Sequence, residues 1–366
     1  MTDGPSRRPT IADVAALAGV SRAAVSKVFN GTGRISAPTA ARIQDAARKL
    51  NWTPSTAAVA LRRSRSRTVG LVLNRPGALE IGATSSLLIS GLESVLAPAG
   101  YGLLLYLIDR TPEDEARAYR AMADERRVDG VILTDSRYGD GRFALMRSLG
   151  LPAVLIGTPD EGDPVPHLDS DPPGAGVDDA VAHLVELGHQ RIAYIGGPDD
   201  RVQARERRLM FESAMASARL RPIASMAVPY SPEHAAERTS ALLDGTAAQP
   251  TAIVYGSDPM AIAGISAARA RGLTVPTDLS VIGFDGLPIG AWIDPSLTTV
   301  QRDAVQRGRA VATKLLEILG EAVQVQEISR PHLLVRGSTG PAPRLPCRLG
   351  VARRPGGCGC TRAAGR

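Results

Sequence analysis

The 366-residue chain is predicted to join an all-α head to a core of two doubly wound α/β lobes. Three observations predict this. Capped helical patterns fill the first 50 residues, short continuous apolar strands alternate with helical segments from residue 69 onward, and that alternation runs twice. Continuous apolar strands with crossover helices argue parallel sheets covered on both faces. Charge follows the same division. Residues 1–68 carry a net charge of +9, residues 337–366 carry +6, and the stretch between them −9. A basic head on an acidic body suits a polyanionic partner.

Taken in order, Thr10 is placed to cap a helix over 11–18, which Gly19 ends in a left-handed turn. Ser21 caps a second helix over 22–30. After the loop GTGRIS, Ser36 opens a third over 37–50. Val14, Leu17, Val20, Val25 and Val28 are expected to close a small core on Ile43, Ala46, Ala47 and Leu50. TPSTAAVAL (53–61) reads as one or two helical turns with nothing to pack on, and RRSRSR (62–67) as a solvated basic linker. Strands are expected at 69–73, 101–108, 129–133 and 152–156, with helices near 84–99, 113–127 and 142–149. The second set places strands at 191–197, 225–229, 251–256 and 279–286, with helices near 174–188, 203–218, 232–244 and 258–271. In such sheets ligands sit beyond the carboxyl ends of the strands.

A glycine between two short helices, the second opened by a serine, is the helix-turn-helix layout. Ala15 and Ala16 are small enough for the helices to cross closely. Arg22 and Ala23 would face base edges in a major groove, with Lys27 one turn further on. Thr10, Ser21, Ser26, Asn30 and Ser36 are short donors suited to phosphates, which position without specifying sequence. Arg34 is counted with this DNA-facing set. A generic three-helix bundle with a solvated basic surface fits the pattern as well, but +9 on 68 residues favours DNA.

Other function classes fit poorly. No apolar run approaches the ~20 residues of a membrane span, and no apolar region follows the polar start MTDGPSRRPT, so a soluble intracellular protein is expected. The three cysteines, Cys347, Cys358 and Cys360, cluster in the last 20 residues and make an incomplete metal set. The five histidines are dispersed without ligand spacing. GxSxG, Walker A and strand-linked GxGxxG patterns are absent. No enzyme activity, metal or cofactor is expected. His183 and His189 read as helix–strand packing and capping groups.

The stretch TIADVAALAGVSRAAVSKVFNG (10–31) with LNWTPSTAAVALRR (50–63) resembles the LacI/GalR family of transcriptional repressors. So do HLVELGHQRIAYIGGP (183–198), ARERRLMF (204–211), PTAIVYGSDPMAIAG (250–264), GLTVPTDLSVIGFDG (272–286), DPSLTTVQRD (294–303) and HLLVRGST (332–339). The resemblance covers roughly 9–339 in one consistent order. It implies a helix-turn-helix domain over 9–52, a hinge helix and linker over 53–68, and a periplasmic-binding-protein-like effector and dimerisation domain over 69–339. Lobe 1 is expected at about 69–167 and 300–326, and lobe 2 at about 168–295 and 327–339. The Pro/Gly/Arg-rich segment 340–366 reads as disordered. By the resemblance the protein is a cytoplasmic homodimeric repressor on palindromic double-stranded operator DNA, with Leu61 of the hinge helix wedging into the minor groove. Without Leu heptads it is expected to stop at a dimer.

A small-molecule effector, a carbohydrate by family default, is expected in the cleft between the lobes. Asp258 follows the strand TAIVYGS and opens a helix, so its carboxylate is expected in that cleft; it can serve as a helix cap instead. By the resemblance, Asp258 accepts hydrogen bonds from the ligand and Arg207, in ARER, donates from the opposite wall, unless Arg207 is a surface ion-pair partner. Asp169 (HLDSD) and Asp285 (GFDG) sit at strand ends as contact or scaffold. Ring stacking would come from Tyr230, Tyr255 or Trp292, the last in the AWIDP loop. The chain departs from the family pattern at GATSS (82–86), where relatives carry an aromatic pair. It departs also at Met210, which replaces a common glycine, and at Ser257, which replaces the usual asparagine. A transport-type binding protein would share the two lobes but has no use for 9–61. A sugar-processing enzyme of similar topology would be decided by a turnover assay.

Overall fold

The head folds as its caps and apolar spacing dictate. The computed structural model describes residues 9–29, 32–53, 65–74, 82–108, 111–160, 165–168, 175–245, 249–324 and 327–343. The first helix, α1 (Ile11–Ala18), begins at Thr10, whose N–H and hydroxyl both donate to the Asp13 carboxylate at 2.7 Å. It ends at Gly19, in the left-handed conformation (φ +62°). Helix α2 (Arg22–Phe29) begins where Ser21 Oγ accepts from Ala24 N at 3.2 Å, and α3 (Ala37–Lys49) begins after Ser36. Val14, Ala15, Ala18, Val25, Ile43, Ala46 and Ala47 form the buried core, with Val20, Val28, Phe29, Leu50 and Trp52 packed against it. Phe29 meets Trp52 edge-on, with centroids 5.2 Å apart. Two expectations are corrected. Leu17 stays 53% exposed instead of joining the core, and of the two alanines at the crossing only Ala15 is buried. Both follow from the 100° step of the helix: 14, 15 and 18 share the inward stripe, and 16 and 17 turn away from it.

The chain divides into two compact units. The first comprises Met1–Pro172, Asp200–Gln203 and Asp303–Arg330; the second comprises Pro173–Asp199, Ala204–Arg302 and Pro331–Arg366. In the first, strands β1 (Thr68–Asn74), β2 (Gly102–Ile108), β3 (Gly130–Leu133), β4 (Ala153–Ile156) and β5 (His167–Leu168) form one parallel sheet in the order β2-β1-β3-β4-β5. Alternation along β1 splits the core in two. Val69, Leu71 and Leu73 face helices α4 (Ala83–Leu96) and α11 (Ala304–Ile318), and Val72 faces α5 (Pro112–Asp124) and α6 (Arg142–Leu149). Gly91 of α4 and Gly308 of α11 let those two helices meet backbone to backbone. A Cβ at Gly91 would lie 2.2 Å from the Val305 carbonyl oxygen, and one at Gly308 would lie 2.3 Å from that of Leu88.

The second unit carries β6 (Ile192–Gly196), β7 (Ala224–Ala227), β8 (Ala252–Tyr255), β9 (Ser280–Asp285), β10 (Thr298–Gln301) and β11 (His332–Leu334), in the order β11-β10-β9-β8-β6-β7. All neighbours are parallel except β10 and β11. One face packs Ile195, Ile253, Tyr255 and Val281 on α9 (Pro232–Asp244) and α10 (Asp258–Arg269). The other packs Ile192, Tyr194, Val254 and Ile282 on α7 (Val177–Glu186) and α8 (Val202–Ser217). His189 is buried and ties this unit together: its Nδ1 lies 2.9 Å from Thr251 Oγ1, and its Nε2 3.0 Å from both Ser280 Oγ and the Gly340 carbonyl oxygen. His183 Nε2 lies 3.0 Å from Thr339 Oγ1.

The expected disordered segment is corrected at its start. Gly340 N donates to Ser280 Oγ and Ala342 N to the Leu187 carbonyl, so residues 340–342 are tied to the second unit. The short strands β5 and β11, strand β10 and helix α11 were not read from the sequence as elements. Residues 344–366 and the hinge segment 54–61 with Leu61 lie outside the described residues.

Candidate nucleic-acid interface and effector site

Helix α2 is two-faced. Val25 is fully buried, and Val28 and Phe29 pack on the core beside it. At 100° per residue, Arg22, Ala23, Ser26 and Lys27 share the opposite arc. Arg22, Ala23 and Lys27 are exposed there, and Ser26 is half-buried. Arg34 and Ser36 are exposed on the loop that follows, and that loop passes close beside Lys27. A Cβ on Gly33 (φ +86°) would come 3.3 Å from Lys27 Cδ, so a glycine lets the Lys27 stem lie against the backbone. The three short donors at helix starts also have local work. Thr10 engages Asp13, Ser21 caps α2, and Ser36 Oγ donates to Thr39 Oγ1 at 2.9 Å. Asn30 lies outside the described residues.

The carboxyl edge of the second unit's sheet gathers a different set. The Arg207 guanidinium lies over the Phe284 ring, 3.5 Å from its centroid, and its Nη1 donates to the Gly256 carbonyl at 2.6 Å. Arg302 approaches the same ring at 5.8 Å. Arg207 is buried and cationic, with its fork held flat by the ring beneath it. The next residue after Phe284, Asp285, ends β9 half-buried with φ +120°. That backbone value is rare for a residue with a side chain, and such strain concentrates at ligand sites. Tyr230 follows β7 at the same edge and leaves 40% of its surface exposed. Its ring covers Gly197, where a Cβ would come 2.2 Å from Tyr230 Cζ. Arg207, Tyr230 and Asp285 are thus brought to one edge.

Two sequence expectations change here. Asp258 is fully buried, and its carboxylate is already engaged. Oδ1 accepts from Thr299 Oγ1 and Oδ2 from Leu287 N, each at 2.6 Å. Gly283 makes room for it, since a Cβ there would lie 2.2 Å from Oδ1. Asp258 therefore pins β9, β10 and the turn after β9 together instead of offering an acceptor to a ligand. It is not the cap of α10 either, because Ser257 Oγ accepts from Met260 N at 3.4 Å. Burial pushes the Asp258 carboxyl up to about 7; the Thr299 and Leu287 hydrogen bonds oppose this, and the Asp285 charge adds to it.

Trp292 is 84% exposed and belongs to another part of the unit. The turn Pro288–Ala291 starts the chain's return from the carboxyl end of β9 to the beginning of β10. Two residues past Trp292, the Asp294 carbonyl accepts from Arg269 at the far end of α10. Arg269 lies roughly 16 Å along that helix from Asp258, at 1.5 Å per residue. Asp169 lies outside the described residues, and Tyr255 is buried with its hydroxyl 2.7 Å from Thr239 Oγ1.

Sequence reasoning passed over Phe284, Arg302 and, in the first unit, Ser136. The Ser136 hydroxyl is buried without a hydrogen-bond partner, three residues past the end of β3 and next to Asp135 (φ +54°). Phe284 is the penultimate residue of β9, and Arg302 and Ser136 follow the carboxyl ends of β10 and β3; that position was the available signal. Among the described residues no group of three or more His, Cys, Asp or Glu could hold a metal ion, and no helix is long and apolar enough to cross a membrane.

Comparison with known proteins finds matches for both the head and the core. Residues 10–55 match the model for bacterial regulatory proteins of the lacI family, and residues 181–339 match the periplasmic binding protein-like domain. The chain is 34% identical over 356 residues to an uncharacterised HTH-type transcriptional regulator in the aml 5' region of Streptomyces limosus, covering 92% of this chain and 96% of that one. Among solved structures it is similar to the lac repressor dimer bound to operator and the anti-inducer ONPF (TM-score 0.79, 27% identity, 91% of this chain and 100% of that one). It is also similar to a complex of the transcriptional regulator CelR with cellobiose (TM-score 0.66, 30% identity, 90% and 100%). The chain belongs to the LacI family of bacterial transcriptional regulators.

Proposed function

We propose that this regulator is a dimeric repressor whose hold on a palindromic operator is set by a polyhydroxylated effector, a sugar, bound at the carboxyl edge of its second lobe. The observation that carries the effector reading is the assembly of Arg207, Tyr230 and Asp285 at that edge. It combines a rigid cationic donor, a carboxylate acceptor and an exposed ring. A sugar hydroxyl both donates and accepts, so a facing guanidinium and carboxylate satisfy it from two sides. The ring covers the apolar face of the pyranose. Cellobiose in the CelR complex is a ligand of this chemistry.

On the head, Arg22, Ala23 and Lys27 read base edges, with Ser26 and Arg34 on the backbone beside them. In this reading the domains run 9–52 for the head, 53–68 for hinge and linker, and 69–339 for the effector core. The protein works in the cytoplasm, where its operator is, and catalyses no reaction. An effector acts only through its differential affinity for the operator-bound and free arrangements, and operator DNA changes effector affinity by the same factor.

The test is a titration of the purified protein, by calorimetry, with cellobiose, maltose, glucose, hypoxanthine and guanine. A saccharide is expected to bind, to change operator affinity, and to lose at least tenfold in affinity with Arg207→Ala or Asp285→Asn. Binding of a purine alone, or saccharide affinity unchanged in both variants, overturns the sugar assignment.

A further inference from the structure

The linker RRSRSR reads in the sequence as a uniformly basic strip, yet its last three residues are held by the first unit. The Arg65 guanidinium donates from Nη1 to Glu321 Oε1 at 3.0 Å and from Nη2 to the Leu319 carbonyl at 2.7 Å. Tyr101 donates its hydroxyl to that same Glu321 oxygen at 3.0 Å. Arg67 Nη1 lies 3.5 Å from it and donates to the Ala99 carbonyl at 3.1 Å, and the Arg67 guanidinium sits 5.0 Å from the centre of the Tyr101 ring. Between the two arginines, Ser66 N and Oγ donate to Asp129 Oδ1 at 2.6 and 2.9 Å, and Arg67 N donates to Oδ2 at 2.9 Å. Arg67 itself has φ +52°, a bend that these contacts hold in place. Two carboxylates from distant parts of the chain, one just before β3 and one after α11, therefore clamp three consecutive linker residues where the chain enters β1.

We infer that Glu321, supported by Asp129, is a positioning residue for operator recognition: it fixes the point from which the head departs and withholds Arg65 and Arg67 from DNA phosphates. The inference rests on the DNA-binding function proposed above. The physics is a matter of specificity. Each freed arginine would neutralise a phosphate on any sequence, adding affinity for random DNA and releasing counterions. A fixed departure point restricts the orientations the head must lose on docking, which favours the operator. Arg65 and Arg67 keep 43% and 35% of their side-chain surface exposed, so release from the clamp would need no unfolding of the lobe.

The test uses the full-length protein, an operator selected from a random duplex library, and a random-sequence duplex of equal length, each titrated over a range of salt. Glu321→Gln is expected to bind random DNA several-fold more tightly. Its plot of log affinity against log salt should steepen by up to about 2 per protomer, at ~0.9 for each arginine released. Its preference for operator over random DNA should fall about tenfold. Glu317→Gln, an identical charge change at an exposed position near the end of α11, four residues earlier, should leave slope and preference at the wild-type values. The double variant Arg65→Gln/Arg67→Gln, with Glu321 intact, should keep the wild-type salt slope on random DNA, because in the clamp neither arginine reaches a phosphate. Should Glu321→Gln fail to fold, Asp129→Asn and this double variant decide the matter alone. Equal slopes for Glu321→Gln and Glu317→Gln, or a flatter slope in the double variant, overturn the clamp and leave the DNA-binding function standing. A wild-type protein with no salt-dependent affinity for either duplex overturns both.

Discussion

The first lobe holds Glu115, Asp140, Arg142 and the half-buried Arg137 as one matched set of charges, whereas in the second the buried Asp258 carboxylate and His189 imidazole sit among hydroxyls and backbone and the buried Arg207 guanidinium lies on a ring. In the first, Glu115 is 1% exposed and receives Arg142 at 3.1 Å and Arg137 at 2.7 Å, while Arg142 also grips Asp140 with a bond of 2.6 Å. Burial acts against the Arg142 charge, but Asp140 and Glu115 outweigh it and hold the guanidinium pKa above its ordinary value. In the second lobe, Asp258 has no cation among its hydrogen-bond partners. Its pKa rises to about 7. The contrast teaches that two sheets of similar topology fasten the loops at their carboxyl ends by different chemistry. In one fastener the ion pair holds Asp140 below and Arg142 above its ordinary value, and in the other burial pushes the Asp258 carboxyl up to about 7.

The largest effect is expected from breaking the matched set. Glu115→Ala takes the carboxylate from Arg137 and leaves the buried Arg142 with Asp140 alone. Removing one partner of a buried ion pair costs about 3–5 kcal/mol, because the remaining charge is uncompensated. Urea unfolding followed by circular dichroism should show this as a lowered midpoint. A loss below about 1 kcal/mol would mean that the network has enough solvent access to behave as a surface pair.

The second lobe responds to pH instead. Between about pH 4 and 7 the folded state keeps a proton on Asp258 that the unfolded chain has already released. Stability therefore falls as pH rises through that window and levels off above it. Asp258→Asn retains an amide oxygen for Leu287 N and removes the titration. Melting temperatures across pH 4–8 should converge for wild type and variant at the acid end, with the wild type losing ground as pH rises. Parallel curves would show that Asp258 is ionised throughout, with a cation closer than its present partners.

Much of this architecture was legible in the sequence, for identifiable reasons. Caps and period marked α1 within its observed bounds, and β-branched runs between turn residues marked eight of the strands. What stayed hidden was set by packing. Strand β10 (TTVQ) carries three buried positions, two of them threonines, and reads as polar. Helix α11 begins with Ala304-Val305-Gln306-Arg307, a mixed start that hides its onset, although Val311, Leu315 and Leu319 further on are buried at helical spacing. At the candidate site, Asp285 was within reach of sequence reasoning because it ends a strand, and Arg207, inside α8, only through the family resemblance. The fate of Asp258 was not. A carboxylate opening a helix after a strand looks the same in sequence whether it meets solvent or a threonine on a neighbouring strand, and only the tertiary position of Thr299 decides it. Trp292 misled for the related reason that ring chemistry is visible in a sequence while the direction of a returning loop is not.

The smallest effect is the subtlest test of the contrast, because it has the opposite sign. Burial holds the His189 pKa below its ordinary value, only partly offset by its bond to Gly340. A carbonyl oxygen can only accept, so Nε2 carries the proton toward Gly340 and Nδ1 accepts from Thr251. A second proton would have to displace the Thr251 hydroxyl from Nδ1. The unfolded chain therefore takes up a proton near pH 6.5 that the folded state refuses. The contribution is fully present above that pH and is lost as pH falls below it. In wild type the larger Asp258 slope opposes this one. In an Asp258→Asn background it should emerge as a modest decline in melting temperature on acidification from pH 7 to 5. Adding His189→Asn should reduce that decline without removing it, since burial lowers the His183 pKa in the same direction. An unchanged decline in the double variant would place the residual titration on His183 or elsewhere, and His189 would then be a neutral strut whose protonation the fold does not feel.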